Sequence, residues 1–208
     1  MVTPREFWNM RSRTYDQQSG EEYAQAYEKT VSNTLKYLTG EDRVLEFACG
    51  TGITTVAIAP HVAFVRAIDI SDEMVGKARE KIQTLGLSNV ELSQTDLFDP
   101  CLEEGSFDAV TAFNVLLYVE NRAQVLERIR SLLKPGGMFL SVTDCLGEGI
   151  TRVGIRKFWK SHTGSMPYVA FDSRKKLEGE IAQAGFAVLE RENLFSTPPN
   201  LFVAAKKI

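Results

Sequence analysis

The chain has 208 residues, 44% of them apolar and 25% charged, with a formal net charge of -3. That is enough for one α/β domain with a real core, and the acidic balance speaks against whole-protein attraction to nucleic acid or to an anionic membrane. Three cysteines, none in C-x-x-C spacing, and two histidines suggest neither a disulfide framework nor a metal site. The opening MVTPREFWNMRSRTYD has no apolar core of a signal peptide. Every apolar run is far short of the roughly 18 residues that a membrane span needs, so a cytoplasmic, reduced protein is the default expectation.

Taken in chain order, Ser19-Gly20-Glu21-Glu22 fits a capping box. Tyr23, Tyr27, Val31, Leu35 and Leu38 follow at helical spacing, and Thr39-Gly40 reads as the helix end. From Arg43 strands and helices alternate. Arg43–Phe47 reads as a strand, Ile53–Ala59 as a helix and Phe64–Ile68 as a strand. Ser71 caps a helix that runs to about Leu85 and stops at Gly86. Val90–Ser93 and Phe107–Phe113 are strands, and Arg122–Leu133 is an amphipathic helix stopped by Pro135-Gly136-Gly137. Met138–Thr143 is a fifth strand. A helix at Ser173–Ala184 then leads to strands Phe186–Leu194 and Leu201–Ala205, joined by a turn so short that the pair must be antiparallel. The expected fold is therefore α/β: a doubly wound, mostly parallel seven-stranded sheet with one antiparallel strand near an edge, helices on both faces and a helical N-terminal cap.

The strongest chemical signal is Glu46-Phe47-Ala48-Cys49-Gly50-Thr51-Gly52, where a strand ends, a glycine-rich turn follows and a helix begins. Ligands of such sheets sit at the carboxyl ends of the strands, near the reversal of strand order. A dinucleotide-binding turn wants a third glycine where this chain has Thr55, and the carboxylate of Glu46 is a poor neighbour for pyrophosphate but a good one for a cation. Asp69 ends the second strand, where a carboxylate accepts from ribose hydroxyls. Asp96, after the third strand, can accept from an adenine amine while Leu97 offers a backbone amide. Three acids at the ends of three successive strands thus line one rim.

EFACGTG, RAIDIS, QTDLF, FDAVTAFNVLLYVEN and LLKPGGMFL, in that order, resemble the successive motifs of class I S-adenosylmethionine-dependent methyltransferases over about residues 40–145. The first glycine of the family's acid-x-Gly-x-Gly-x-Gly pattern is Ala48 here. The resemblance implies S-adenosylmethionine as cofactor, with Glu46, Ala48, Gly50 and Gly52 around its methionine part, Asp69 on the ribose and Asp96-Leu97 at the adenine. Phe47, Ile70 and Met74 complete the expected cofactor set. Asn114 is placed near the transferred methyl group, and the opening helical segment with Tyr15 is expected to fold over the cofactor. On this reading residues 1–40 are a lid, 41–145 the cofactor-binding core, 146–171 a substrate-side insert and 172–208 the closing helix and hairpin.

No Ser-His-Asp or Cys-His set is visible, which suits transfer of an already activated methyl group. Asn114 and His162 are the candidate catalytic residues, and no metal is expected. The insert Cys145–Phe171 carries Arg152, Arg156, Lys157 and Lys160 against Glu148, with Phe158, Trp159, Tyr168 and Phe171. Two readings stand side by side: a cap for an anionic or amphiphilic substrate, with a membrane-touching lid as a variant, or a solvated amphipathic helix whose aromatics pack inward. The expected partner is a small-molecule or lipid-like acceptor, without nucleic acid, for a monomer or homodimer. An NAD(P)-dependent oxidoreductase and a non-catalytic S-adenosylmethionine-binding module are the alternatives.

Overall fold

Apolar residues alternate along the central strands, so successive side chains enter opposite layers. In the computed structural model, which describes residues 2–208 and excludes the side chains of residues 19–22, Val44, Val65 and Ala67 join one apolar layer while Leu45 and Ile68 join the other. Strands β1 (Arg43–Phe47), β2 (Phe64–Asp69), β3 (Val90–Gln94), β4 (Phe107–Phe113), β5 (Leu133–Asp144), β6 (Phe186–Ser196) and β7 (Pro199–Lys207) form one sheet in the order β3-β2-β1-β4-β5-β7-β6. β7 runs antiparallel to both β5 and β6, and the pairs among β1–β5 are parallel. This is the expected topology.

Helices cover both faces. α2 (Tyr15–Leu35) and α3 (Ile53–Ile58) lie on one, where Ala26 packs with Leu140, Val142 and Phe202, and Ile58 with Val44 and Val65. α5 (Arg122–Leu132) and α7 (Arg174–Gln183) lie on the other, bringing Leu126, Ile129, Leu177 and Ile181 against Leu45, Val110 and Phe139. α4 (Asp72–Thr84) links β2 to β3. β1 and β4 are neighbours, yet the chain leaves β1 towards β3 and leaves β4 towards β6. The crevice at their carboxyl ends is where a ligand fits such a sheet.

Two expectations on boundaries are corrected. The first is that helix α2 starts at Ser19 and ends at Thr39-Gly40: it begins at Tyr15 and ends at Leu35, while the capping box at Ser19–Glu22 falls on side chains outside the described residues. A different capping box opens α1 (Pro4–Ser12): Thr3 Oγ1 accepts from the Glu6 amide at 3.3 Å and Glu6 Oε2 accepts from the Thr3 amide at 2.9 Å. Second, Pro135-Gly136-Gly137 does not separate α5 from its strand. β5 already begins at Leu133, and the three residues are accommodated as an irregularity where Phe107 faces Leu133 and Ala109 faces Met138. Proline contributes no ladder donor and Gly136 has φ 73°, so the strand bulges and then resumes. The helix that one reading of the insert expected is present as α6 (Arg152–His162), capped by Thr151 on the Gly154 amide at 2.9 Å.

Candidate functional site

The turn after β1 is built by left-handed backbone. Ala48, Gly50 and Gly52 have φ of 59°, 56° and 77°, values that glycine adopts freely and other residues adopt at a cost. The two glycines serve different ends. A Cβ on Gly50 would meet open space, whereas a Cβ on Gly52 would lie 3.0 Å from Ala78 Cβ and 3.2 Å from its Cα. Gly50 leaves room on the crevice side and Gly52 lets α4 approach. Gly52→Ala should therefore cost about 2 kcal/mol in urea denaturation, from φ strain and crowding together; unchanged stability would show that α4 does not select this glycine.

Two buried carboxyls flank the turn. Glu46 is 2% exposed and accepts from the hydroxyls of Thr54 and Thr55 at the start of α3. Burial pushes its pKa up to about 7 against the pull of the two threonine hydrogen bonds. Asp69 Oδ2 accepts from the Gly50 amide at 2.9 Å and Oδ1 from the Ser71 amide at 2.8 Å. Burial raises its pKa while those amides lower it. Asp69 thus ties the glycine turn to the N-terminus of α4, where Ser71 Oγ caps the Met74 amide at 3.1 Å.

A small cavity of about 30 Å³ lies on this rim, lined by Tyr15, Tyr27, Ala48, Gly50, Thr54 and Asn114 among others. It has room for a water molecule or two. The N-terminal helices close it. The Tyr15 and Tyr27 hydroxyls meet at 3.1 Å, and burial raises the Tyr15 pKa well above its usual value. Asp16 accepts from the Thr51 hydroxyl and pairs with Lys81 at 2.7 Å, while Lys81 Nζ also donates to the Thr51 carbonyl at 2.8 Å. On α1, Asn9 and Arg5 reach Asp72 at 2.9 and 3.1 Å, and Asn9 accepts from Ser71 Oγ at 2.6 Å. Trp8 stands edge-on to Tyr118 and Tyr15.

On the far side Asn114, left-handed at φ 55°, accepts through Oδ1 from Asn200 Nδ2 at 2.9 Å. Asn200 Nδ2 also donates to Asp144 at 2.8 Å, and Asp144 pairs with Lys157 of α6 at 3.1 Å. The structure therefore brings Tyr15, Ala48, Gly50 and Asn114 to one cavity, with Glu46 one hydrogen bond behind its Thr54 wall. Gly52, Phe47, Asp69, Ile70 and Met74 belong to the strand ends and helix start around it. Asp96 is exposed and holds the Phe98 amide at 2.7 Å, while Leu97 beside it is buried. His162 is not brought to the cavity: it is exposed at the end of α6, its Nδ1 2.8 Å from the Phe158 carbonyl. Cys49 is buried with a thiol pKa raised by that burial, which suits packing and not nucleophilic attack. The larger cleft, of about 300 Å³, is lined by Glu148, Arg174, Arg191 and Glu192 among others and takes no residue from the glycine turn. Among the described residues no group of three or more His, Cys, Asp or Glu is placed to hold a metal ion, and no helix is long and apolar enough to cross a membrane.

Residues 44–137, which include the glycine turn, the strand-end acids and Asn114, match the family described as methyltransferase domain. Over this segment, a little under half of its length, the chain carries a class I S-adenosylmethionine-dependent methyltransferase domain. It is 31% identical over 121 residues to demethylmenaquinone methyltransferase of Bacillus cytotoxicus, covering 56% of this chain and 49% of that one. It is 40% identical over 105 residues to ubiquinone biosynthesis O-methyltransferase of Xanthomonas campestris, covering 49% and 43%. The chain spans about half or less of the length of the curated relatives it matches. Among solved structures, the [4+2]-cyclase SpnF shares the fold with a TM-score of 0.79 at 18% identity, covering 99% of this chain and 97% of that one.

Sequence reasoning missed the latch residues Asp16, Thr51 and Lys81 and the Asn200–Asp144–Lys157 chain. One signal was available: Asp144 ends β5 as Asp69 ends β2, and a strand-end carboxylate on this rim is a site candidate whichever strand carries it.

Proposed function

We propose that this chain transfers a methyl group from S-adenosylmethionine to a small-molecule or lipid-like acceptor. The observation that carries the reading is the pair of buried carboxyls, Glu46 and Asp69, on either side of a glycine turn with open space over Gly50. A fold shared with a cyclase does not by itself imply methyl transfer; the two buried carboxyls beside the glycine turn support the cofactor on which that reading rests. Carboxyls in a near-dry rim suit a ligand that carries cations and ribose hydroxyls, and oppose a pyrophosphate. When bound, the cofactor supplies a sulfonium-activated methyl group, so the chain's part is positioning and exclusion of water.

In that division of labour Glu46 supplies negative charge through Thr54 and Thr55 behind the methionine end. Asp69 takes the ribose hydroxyls, Asp96 and Leu97 the adenine edge, and Phe47, Ile70 and Met74 the surrounding walls. Asn114 faces the reacting centre, held by Asn200. Trp8, Tyr15 and Tyr118 offer an aromatic wall to the acceptor. A cavity of about 30 Å³ cannot take the cofactor, so entry requires α1 and the start of α2 to swing away from Asp72 and Thr51. The relatives, a demethylmenaquinone methyltransferase and a ubiquinone-biosynthesis O-methyltransferase, support a small, quinone-like acceptor.

The test is a thermal shift with S-adenosylhomocysteine, run beside NAD and NADP. At about 100 times its dissociation constant a ligand adds roughly 2.7 kcal/mol, which is about 5–10 °C for a chain of this size. A shift with a dinucleotide alone would replace the reading with a hydride-transfer site. Asp69→Ala should weaken S-adenosylhomocysteine by about tenfold to a hundredfold, the worth of hydrogen bonds to a charged group. Equal affinity in that variant would remove Asp69 from the ribose.

A further inference from the structure

α6 turns only part of its surface to the protein. Gly154 is buried, Val153, Lys157 and Ser161 are half-buried, and the Lys157 ammonium sits 5.3 Å over the Tyr118 ring. The remaining positions are exposed, and they are sorted. At about 100° per residue, Phe158, His162, Ile155 and Trp159 fall in one arc of about 100°, and Arg152, Arg156 and Lys160 fill the adjoining arc of about 80°. Trp159 is 63% exposed, Ile155 49% and Phe158 42%, and Ile150 just ahead of the helix is 92% exposed. The rings form one patch: Phe158 lies 4.0 Å from His162, 5.8 Å from Phe171 and 6.1 Å from Trp159. None of Arg152, Arg156 and Lys160 is in an ion pair among the described residues. α6 itself holds no acid, and nearby Glu148 is taken by Arg174 at 2.8 Å.

We propose that this face docks on a membrane surface bearing anionic lipid headgroups. Trp159, Phe158, Ile155 and Ile150 enter the boundary between headgroups and acyl chains, and Arg152, Arg156 and Lys160 meet lipid phosphates. An apolar stripe beside a purely basic stripe is the pattern of a helix lying in the interface plane. Trp159 stands at the border of the two arcs, the depth at which an amphipathic ring sits at a headgroup boundary. A second copy of the chain is disfavoured, because the self-complementary contact it needs would have no free acid on this face to meet Arg152, Arg156 and Lys160. The net charge of -3 makes the unpaired cations a local feature and not a consequence of overall composition. The docking stands independently of the cofactor assignment. Its consequence rests on that assignment: Lys157 on the inner face leads through Asp144 and Asn200 to Asn114 in the cavity wall, so a docked molecule would draw an amphiphilic acceptor from the bilayer.

The experiment is co-sedimentation of the full chain with vesicles of phosphatidylcholine alone and of phosphatidylcholine with phosphatidylglycerol. Binding is expected on the anionic vesicles only, weakening as salt rises. Each cation near such a surface contributes about fivefold, so the triple change Arg152→Gln, Arg156→Gln and Lys160→Gln should cut affinity by roughly a hundredfold. Trp159→Ala should cut it by at least about tenfold. All four positions are exposed, so the variants should melt with the wild type, and a matching melting temperature makes the binding comparison fair. Absence of binding to the anionic vesicles overturns the proposal, as does binding that neither variant weakens. Equal affinity for soluble polyglutamate would assign the face to an acidic protein, and a dimer in sedimentation velocity that Trp159→Ala dissociates would assign it to a second copy. Either result overturns it.

Discussion

Replacing Glu46 with Gln should stabilise the ligand-free protein above pH 7 and weaken its hold on the cofactor. Both effects come from one buried carboxyl. Its pKa is about 7 in the folded chain against 4.5 as the ordinary value, because burial disfavours the charged form more than the Thr54 and Thr55 hydroxyls favour it. Between pH 4.5 and 7 the folded state keeps a proton that the unfolded chain has released. Stability therefore falls as pH rises through that window, and the loss is complete above about pH 7, at about 3 kcal/mol. Gln fills the same space, accepts from one threonine and donates to the other once that hydroxyl rotates. It does not titrate, so it escapes the loss. Urea denaturation of wild type and Glu46→Gln should give nearly equal stabilities at pH 5 and a variant more stable by up to about 3 kcal/mol at pH 8. Parallel pH profiles would mean that Glu46 is solvated well enough to ionise without cost.

The same carboxyl gives the cofactor a pH signature. A cation placed near Glu46 favours its ionised form, so ligand binding near pH 7 releases a proton. Affinity for S-adenosylmethionine should then rise as pH climbs through 7 in the wild type and stay flat in Glu46→Gln, with the variant weaker by about tenfold or more at pH 8. Titration calorimetry in two buffers of different ionisation heat reads the released proton directly. A buried carboxyl that lowers stability above pH 7 is tolerated because the rest of the core outweighs it.

Much of this site was legible because it is built from strand ends. A strand declares itself by alternation and stops where alternation stops, so Glu46 and Asp69 could be placed on one rim from sequence. Asp144 escaped because Met138–Thr143 already satisfied the pattern one residue early. What the sequence could not show is contact between distant segments. Asp16 and Thr51 are 35 positions apart and Lys81 stands a further 30 beyond Thr51, and no periodicity links them. The capping box at Thr3–Glu6 was readable, since Pro4 at the first helical position strengthens it; the box at Ser19 drew attention instead, inside a helix already begun at Tyr15. In the insert, helical spacing was recognisable but its orientation was not. Of the two readings, the one with aromatics packed inward fails for Phe158 and Trp159, which are exposed because Val153, Lys157 and Ser161 take the inner face.

Arg122→Ala should destabilise the protein by about 3 kcal/mol, more than truncating a surface charge. Arg122 opens α5 and is 8% exposed. Its Nε donates to Glu180 at 2.7 Å, its Nη2 to Asp172, and its Nη1 approaches the Leu116 carbonyl at 3.5 Å. Burial alone would lower its pKa, but the two carboxylates outweigh that and raise it. Asp172 shows the reverse: burial would raise it, and its bonds to Lys176 and Arg122 hold it below the usual carboxylate range. A depressed acid contributes stability above its unfolded pKa of 3.8 and loses it as pH falls through the lower folded value. The cost of Arg122→Ala should therefore be full at pH 7 and shrink below pH 4, as Asp172 protonates in the variant. Lys176, which is 58% exposed, compensates little from water. Removing the carboxylates as well, by Asp172→Ala and Glu180→Ala, should recover part of the loss, and a cycle of these variants gives the coupling. Simple additivity would show that the three groups are solvated and act separately. The hub also fixes the far end of the insert, since Gly147 donates to the Asp172 carbonyl at 3.0 Å and Ala170 to the Leu117 carbonyl at 2.7 Å. Limited proteolysis of Arg122→Ala should therefore cut first between residues 147 and 172, ahead of the sheet.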